Sequence, residues 1–287
     1  MRVLVLGAGR MGGHHARMLG RQDDVREVWI CDRHLDRAQA LAREVGGLAV
    51  PREQAVPGSI DVAWVVVATP TDQHGEARGW AEAGADVLVE KPLAADLVAA
   101  ERLRHPRIRV GHVERHNPVW GHAPLRGPLT VHVRRVVSRP PSTDPGRDVV
   151  SDLMLHDLDL LLHLRGGPLR VERVAGRADL HVVAELRGPG VVATVEAGVE
   201  GAAPVARCWE GVDADGPFRL DFDGRRAWRG GALVGEGGPD ALEAQWRTLI
   251  GGGGVDAEEA STVLGLAATI LRRLPVPHET PEHTDAT

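Results

Sequence analysis

Tyrosine is missing from these 287 residues, and phenylalanine and cysteine each occur only twice. The first absence excludes any catalytic scheme built on a tyrosine acid or base. The two thiols, Cys31 and Cys208, are too few for a disulfide framework or a zinc site, which suits a reducing, cytoplasmic setting. No run of about 18 apolar residues occurs, so no membrane span is expected. The opening stretch Met1–Gly7 is too short for a leader's apolar region and lacks a small-residue cleavage site. It reads as a first strand. A formal charge of −6, with arginines scattered among acids, offers no basic face for nucleic acid. No grouping of side chains calls for a metal.

What is present suits two folded domains. Hydrophobic residues make up 43% of the chain, and its 35 glycines and 19 prolines punctuate periodic segments without forming a low-complexity tract. Up to residue 112, short β-branched runs (Arg2–Leu6, Glu27–Cys31, Val62–Ala68, Val87–Val89, Ile108–Gly111) alternate with helix-like spacing at Gly12–Leu19, Leu35–Val45, Gly75–Ala83 and Ala94–Arg104. That alternation predicts an α/β doubly wound parallel sheet of the Rossmann type. The character changes near Asn117-Pro118. A strand at Leu129–Val137, a Pro/Ser/Gly-rich loop at Arg139–Arg147 and a dense helix at Val149–Leu164 lead into glycine-separated runs from Val171 to Val234. These predict an α+β domain on an open, mostly antiparallel sheet. Helices are expected at Asp240–Ile250 and Asp256–Leu274. The domains are drawn at 1–117 and 118–274, with 275–287 a frayed tail.

The sequence Gly7-Ala8-Gly9-Arg10-Met11-Gly12 is G-x-G-x-x-G directly after a strand and before a helix. Gly7 permits the tight turn, Gly9 lets a pyrophosphate approach the backbone and Gly12 lets helix and strand pack closely. Phosphate is then held by free amides at the helix start, where Arg10 and Met11 lie. Asp32, about 20 residues on, is placed to bind adenosine ribose hydroxyls and favours NAD. Arg33 beside it can instead accept the 2′-phosphate of NADP.

Ala68-Thr69-Pro70-Thr71-Asp72-Gln73-His74 and Val89-Glu90-Lys91-Pro92-Leu93, together with the glycine motif, resemble the glucose–fructose oxidoreductase/inositol dehydrogenase/MocA family. The resemblance implies that Thr69, Pro70 and His74 border the nicotinamide, with Glu90 and Lys91 at the reacting centre. Gly111-His112-Val113-Glu114-Arg115-His116-Asn117-Pro118 is similar to a segment of members acting on nucleotide sugars, UDP-N-acetylglucosamine 3-dehydrogenases among them; His116 stands where phenylalanine is usual. Ser151-Asp152-Leu153-Met154-Leu155-His156-Asp157-Leu158-Asp159 resembles the family's D-x-G-x-H-x-x-D helix, with Met154 in place of the glycine.

Read physically, Asp152, His156, Asp159 and His163 fall at i, i+4, i+7 and i+11, one stripe of an otherwise apolar helix. Buried carboxylates and imidazoles need partners or a polar cavity, so this stripe is a candidate site. Lys91 stands at a strand's carboxyl end, where doubly wound sheets bind ligands, with Glu90 placed to orient it. Lys91, His156 and Asp152 are the expected catalytic residues, Asp152 favouring a protonated imidazole. Glu114, Arg115 and Asn117 are candidates for substrate binding, or for bracing the domain junction. Trp120 and Trp246 suit core packing better than sugar stacking. The expected activity is reversible NAD(P)-dependent oxidation of a secondary alcohol on a sugar or nucleotide sugar. Alternatives are an inositol or aldose dehydrogenase, a tetrapyrrole or imine reductase, and a non-catalytic dinucleotide sensor. The family resemblance also implies a homodimer or homotetramer paired through the C-terminal sheet.

Overall fold

The computed structural model describes residues 1–138 and 148–275; the loop Arg139–Arg147 and the tail beyond 275 lie outside the described residues. Strands β1 (Arg2–Leu6), β2 (Glu27–Cys31), β3 (Leu48–Ala49), β4 (Trp64–Val67), β5 (Asp86–Val89) and β6 (Ile108–Val110) run parallel in the order β6-β5-β4-β1-β2-β3. This order reverses at β1/β4, the crevice where doubly wound sheets bind ligands. The alternation along β1 decides the layers. Val3 and Val5 face a core with Ala16 and Leu19 of α1 (Arg10–Leu19) and Leu41 of α2 (Leu35–Val45). Leu4 and Leu6 face the opposite core with Trp80 of α3 (Ala77–Glu82) and Ala100 of α4 (Leu97–Glu101).

Two of the expected helices are shorter than their spacing suggests. A 3₁₀ segment, Thr71–Glu76, precedes α3, because Pro70 starts the turn without a helical ψ. In α4, Asp96 caps the first turn by accepting from the Ala99 amide, so the chain from Ala94 to Asp96 stays outside the helix.

After α5 (Val119–His122) the second sheet begins with β7 (Leu129–Val137). A π-helical turn, Val150–Met154, runs into α6 (Leu155–Arg165). Then follow β8 (Arg170–Arg177), β9 (His181–Gly188), β10 (Val191–Val199), β11 (Ala206–Asp213), β12 (Gly216–Asp221), β13 (Arg226–Arg229) and β14 (Ala232–Glu236). The sheet order is β14-β13-β12-β11-β7-β10-β9-β8, antiparallel except for the β7–β10 pair. Strand β13, Arg-Ala-Trp-Arg, has only four residues and escapes a pattern search. One face, with Leu129, Val131, Val133 and Trp209, buries against α6.

The stretch drawn into the second domain returns to the first sheet near its C-terminal end. After α7 (Ala241–Ile250), β15 (Val255–Asp256) pairs antiparallel with β6, extending the first sheet. Trp246 and Leu249 of α7 enter one core of the first domain, and Ala257, Ala260 and Leu264 of α8 (Ala257–Arg273) enter the other. Further along α8, Val263, Ala267 and Ile270 pack in the second domain's core. The last helix therefore belongs to both domains and ties them together.

Candidate active site

The glycine turn has the steric form that a dinucleotide needs. Gly7 has φ 98°, and a Cβ there would lie 2.6 Å from the Ala68 carbonyl oxygen. A Cβ on Gly12 would lie 1.7 Å from the Gly7 carbonyl oxygen, so β1 and α1 can touch only without side chains. A Cβ on Gly9 would meet nothing within 4 Å: the backbone faces open space just where α1 begins with Arg10 and half-buried Met11. The arrangement fits a pyrophosphate lying against the first amides of the helix. Beside it a cavity of about 180 Å³ is lined by Gly7, Gly9, Asp32, Arg33, Thr69 and Pro70. Asp32 accepts from the Ala8 amide at 2.7 Å and the His34 amide at 2.8 Å, which fixes its carboxylate at the end of β2. Arg33, Arg37 and Arg52 also line this cavity; the last two are cations that sequence reasoning passed over. Among the described residues the buried Thr69 hydroxyl has no hydrogen-bond partner, which suits a polar contact with a ligand.

His74, expected to border the nicotinamide, is buried between the loops after β4 and β5. It is 2% exposed, with Nε2 3.0 Å from the Thr69 carbonyl and Nδ1 3.1 Å and 3.2 Å from the Pro92 and Leu93 carbonyls. It staples the loop after β4, which lines the cavity at Thr69, to the loop after β5.

At the end of β5, Lys91 leaves the first domain and meets the second. Its Nζ donates to the Asp152 carbonyl oxygen at 2.6 Å and lies 3.3 Å from the Asp152 carboxylate. Both side chains are largely buried, 13% and 12% exposed. The π-helical turn carries Asp152, and His156 stands in the first turn of α6, directly after it. Burial pushes the His156 imidazole well below its usual pKa, helped by the charges of Lys91 and Arg135. Asp152, expected to favour a protonated imidazole, engages Lys91 with its carboxylate, while burial disfavours the charged form of His156. Its Nδ1 is enclosed and makes no hydrogen bond among the described residues. A neutral, desolvated imidazole beside an ammonium can accept a proton.

Glu90 is engaged by His15 and by the backbone of Lys91. Its carboxylate lies 2.6 Å from His15 Nε2 and accepts from the Lys91 amide at 3.3 Å. His15, 1% exposed, is a site-adjacent residue that sequence reading left as packing or solvent contact. The remaining polar stripe divides. Asp159 is 1% exposed and accepts a bidentate pair from Arg115, whose Nη1 also reaches Glu259 of α8 at 3.2 Å. His163 is exposed. The unexpected member is Asp157, which takes two bonds from buried Arg135 and one from the Trp209 indole at 2.9 Å. Glu114 joins Arg135 at 3.2 Å and also pairs with Arg207, and its carboxyl is held below the usual range despite burial because both guanidiniums favour the anion. Asn117 donates to Glu114 at 3.2 Å and to the Phe222 carbonyl at 3.3 Å. Glu114, Arg115 and Asn117 thus brace the junction, with Glu114 and Asn117 also facing a cavity of about 650 Å³. Trp246 packs edge-on to Trp64, and Trp120 to Trp209 and Phe222.

A glycine turn between strand and helix, a carboxylate fixed at the end of β2 and a lysine facing a helix with a buried polar stripe suit a protein of the dinucleotide-binding type. The chain belongs to the glucose–fructose oxidoreductase/inositol dehydrogenase/MocA family. Residues 1–110 match the family described as oxidoreductases with an NAD-binding Rossmann fold. An inositol 2-dehydrogenase of Saccharopolyspora erythraea is 30% identical over 91% of this chain and 88% of its own length. A UDP-N-acetylglucosamine 3-dehydrogenase of Acidithiobacillus ferrooxidans is 31% identical over 69% of this chain, which spans 66% of that protein. The solved structure of the Acidithiobacillus enzyme superimposes with a TM-score of 0.80, at 26% identity, over 96% of this chain and 97% of that one.

Proposed function

We propose that this protein is an NAD(P)-dependent dehydrogenase that reversibly oxidises a secondary alcohol of a sugar or nucleotide sugar. The observation that carries the reading is the meeting of Lys91 with Asp152, one helical turn from buried His156, at the same carboxyl edge of the parallel sheet as the glycine turn. A nicotinamide cofactor bound at Gly7–Gly12 supplies the hydride acceptor. His156 accepts the proton of the reacting hydroxyl, and Lys91 hydrogen-bonds the oxygen and stabilises the negative charge it gains. Asp152 holds the Lys91 ammonium in place. NAD is the inferred cofactor, since Asp32 is fixed at the ribose end of the cavity. Arg33 and Arg37, exposed and without an ion-pair partner among the described residues, give NADP a second foothold.

The leading substrate class is a UDP-N-acetylglucosamine-like nucleotide sugar. It is supported by the likeness to the Acidithiobacillus enzyme. Inositol oxidation is the second reading, favoured by the relative that aligns over 88% of its length. No described helix is long and apolar enough to cross a membrane, and we infer a cytoplasmic protein. Pairing through the outer face of the second sheet is supported by a row of neighbouring strand positions there, exposed Val192, Thr130 and Val212.

The test is a panel of UDP-sugars, inositols and aldoses with NAD and NADP, followed by the absorbance of reduced nicotinamide. Turnover of UDP-N-acetylglucosamine in preference to inositol is expected. NADH binding with no hydride exchange on any member would favour a dinucleotide sensor instead.

A further inference from the structure

We infer that His15 is a positioning residue: through Glu90 it forms a strut between the helix that starts the phosphate cradle and the backbone of Lys91. The inference rests on the functional reading only for its kinetic consequence; the strut itself is geometric.

His15 follows Gly12 by three residues, so it lies on the face of α1 that approaches the sheet. From there it passes over β4 to the end of β5, where its Nε2 lies 2.6 Å from Glu90 Oε1. Both side chains are nearly solvent-free, 1% and 9% exposed. The other Glu90 oxygen accepts from the Lys91 amide at 3.3 Å. On the far side, the carboxylate rests against Gly111, just after β6, where a Cβ would lie 3.1 Å from Oε1. The carboxylate is therefore held from α1, from its own strand and from the neighbouring strand's end. Burial disfavours its charge, yet its pKa is lowered, because His15 and the Lys91 ammonium stabilise the anion. A hydrogen bond in so dry a place is strong and directional, and its loss leaves a buried anion seeking a partner.

Residue 91 is the only lysine in the chain, and its ammonium must span to Asp152 in the other domain. A small rotation of the Glu90–Lys91 backbone moves that ammonium away from Asp152 and the substrate. Seating a dinucleotide on α1 and aiming Lys91 are thus mechanically joined through one imidazole.

The single lysine makes a direct test available, because amine acetylation can mark only Lys91 and the N-terminus. Cofactor-free protein is treated with an acetylating reagent, and Lys91 modification is timed by mass spectrometry in wild type, His15→Phe and His15→Gln. Loss of the strut is expected to speed Lys91 labelling about threefold or more in His15→Phe, the scale of one hydrogen bond. His15→Gln, which keeps a donor, returns labelling to within about twofold of wild type. In turnover, His15→Phe is expected to lose about tenfold to a hundredfold in kcat with sugar KM and NADH affinity little changed. Should His15→Phe not fold, Glu90→Gln breaks the same charge from the other side and is expected to speed labelling likewise. Unchanged labelling and kcat in His15→Phe, or equal impairment in Phe and Gln, would overturn the strut. Labelling needs no substrate, so a protein that oxidises no sugar still tests it, whereas wild-type turnover in Lys91→Ala contradicts the functional reading alone.

Discussion

At the scale of single residues, the composition is itself a clue. Thirty-three of the chain's 34 basic residues are arginine, and the one lysine is Lys91. A guanidinium keeps its protons under all ordinary conditions and presents a wide planar fork, whereas an ammonium is a compact donor that can be aimed at one oxygen. In a chain so biased towards arginine, a lone lysine at the end of β5 is a stronger pointer than its motif alone. His156 carries a second consequence. Burial lowers its pKa, so the imidazole stays neutral through the neutral range and binds a proton only at lower pH. The sign is that of a depressed histidine: the base is present above its folded pKa and lost as pH falls through it. The acid limb of the kcat profile is therefore expected below about pH 6.5, the ordinary histidine value. A limb at or above neutrality would place the titrating base elsewhere.

At the scale of elements, the glycine turn yields a pair of opposite outcomes. Gly12→Ala drives a methyl into the Gly7 carbonyl, and a loss of about 3 kcal/mol in stability is expected, visible in denaturant melts. Gly9→Ala meets no atom of the protein, so its melting is expected to match wild type while NADH affinity falls about tenfold or more, worth about 1.4 kcal/mol. Equal stability in both would mean that the turn is not packed as described. Much of this was legible beforehand, because β1, β2, α2 and β7 declare themselves by period and by flanking glycine. The ends of α3 and α4 were not, since Pro70 and the Asp96 cap override spacing. Nor was the partner of each charge. A stripe at i, i+4, i+7 says that Asp152, His156 and Asp159 share a side. It cannot say that Lys91 takes the first, that Arg115 takes the third, or that neighbouring Asp157 is claimed by Arg135 from β7. Those pairings depend on contacts 22 to 61 residues apart in the chain, which no local pattern encodes.

At the scale of the whole molecule, the two domains are joined by charge as well as by α8. Arg115 leaves the junction turn to hold Asp159 of α6 and Glu259 of α8 together. Arg115→Met strands a carboxylate that is 1% exposed, so a loss of about 3–5 kcal/mol is expected in chemical denaturation. A smaller loss in the double variant Arg115→Met/Asp159→Leu would confirm that the stranded charge is the cause. The catalytic proposal likewise needs both domains, because Lys91 comes from one and His156 from the other. Its most direct test compares Lys91→Ala and His156→Ala with wild type, measuring NADH affinity and turnover of the best substrate side by side. The account predicts NADH binding within about threefold of wild type and a loss of about 10²–10⁴ in kcat for each variant. Wild-type turnover in either would remove that residue from the chemistry and contradict the pairing on which the assignment stands.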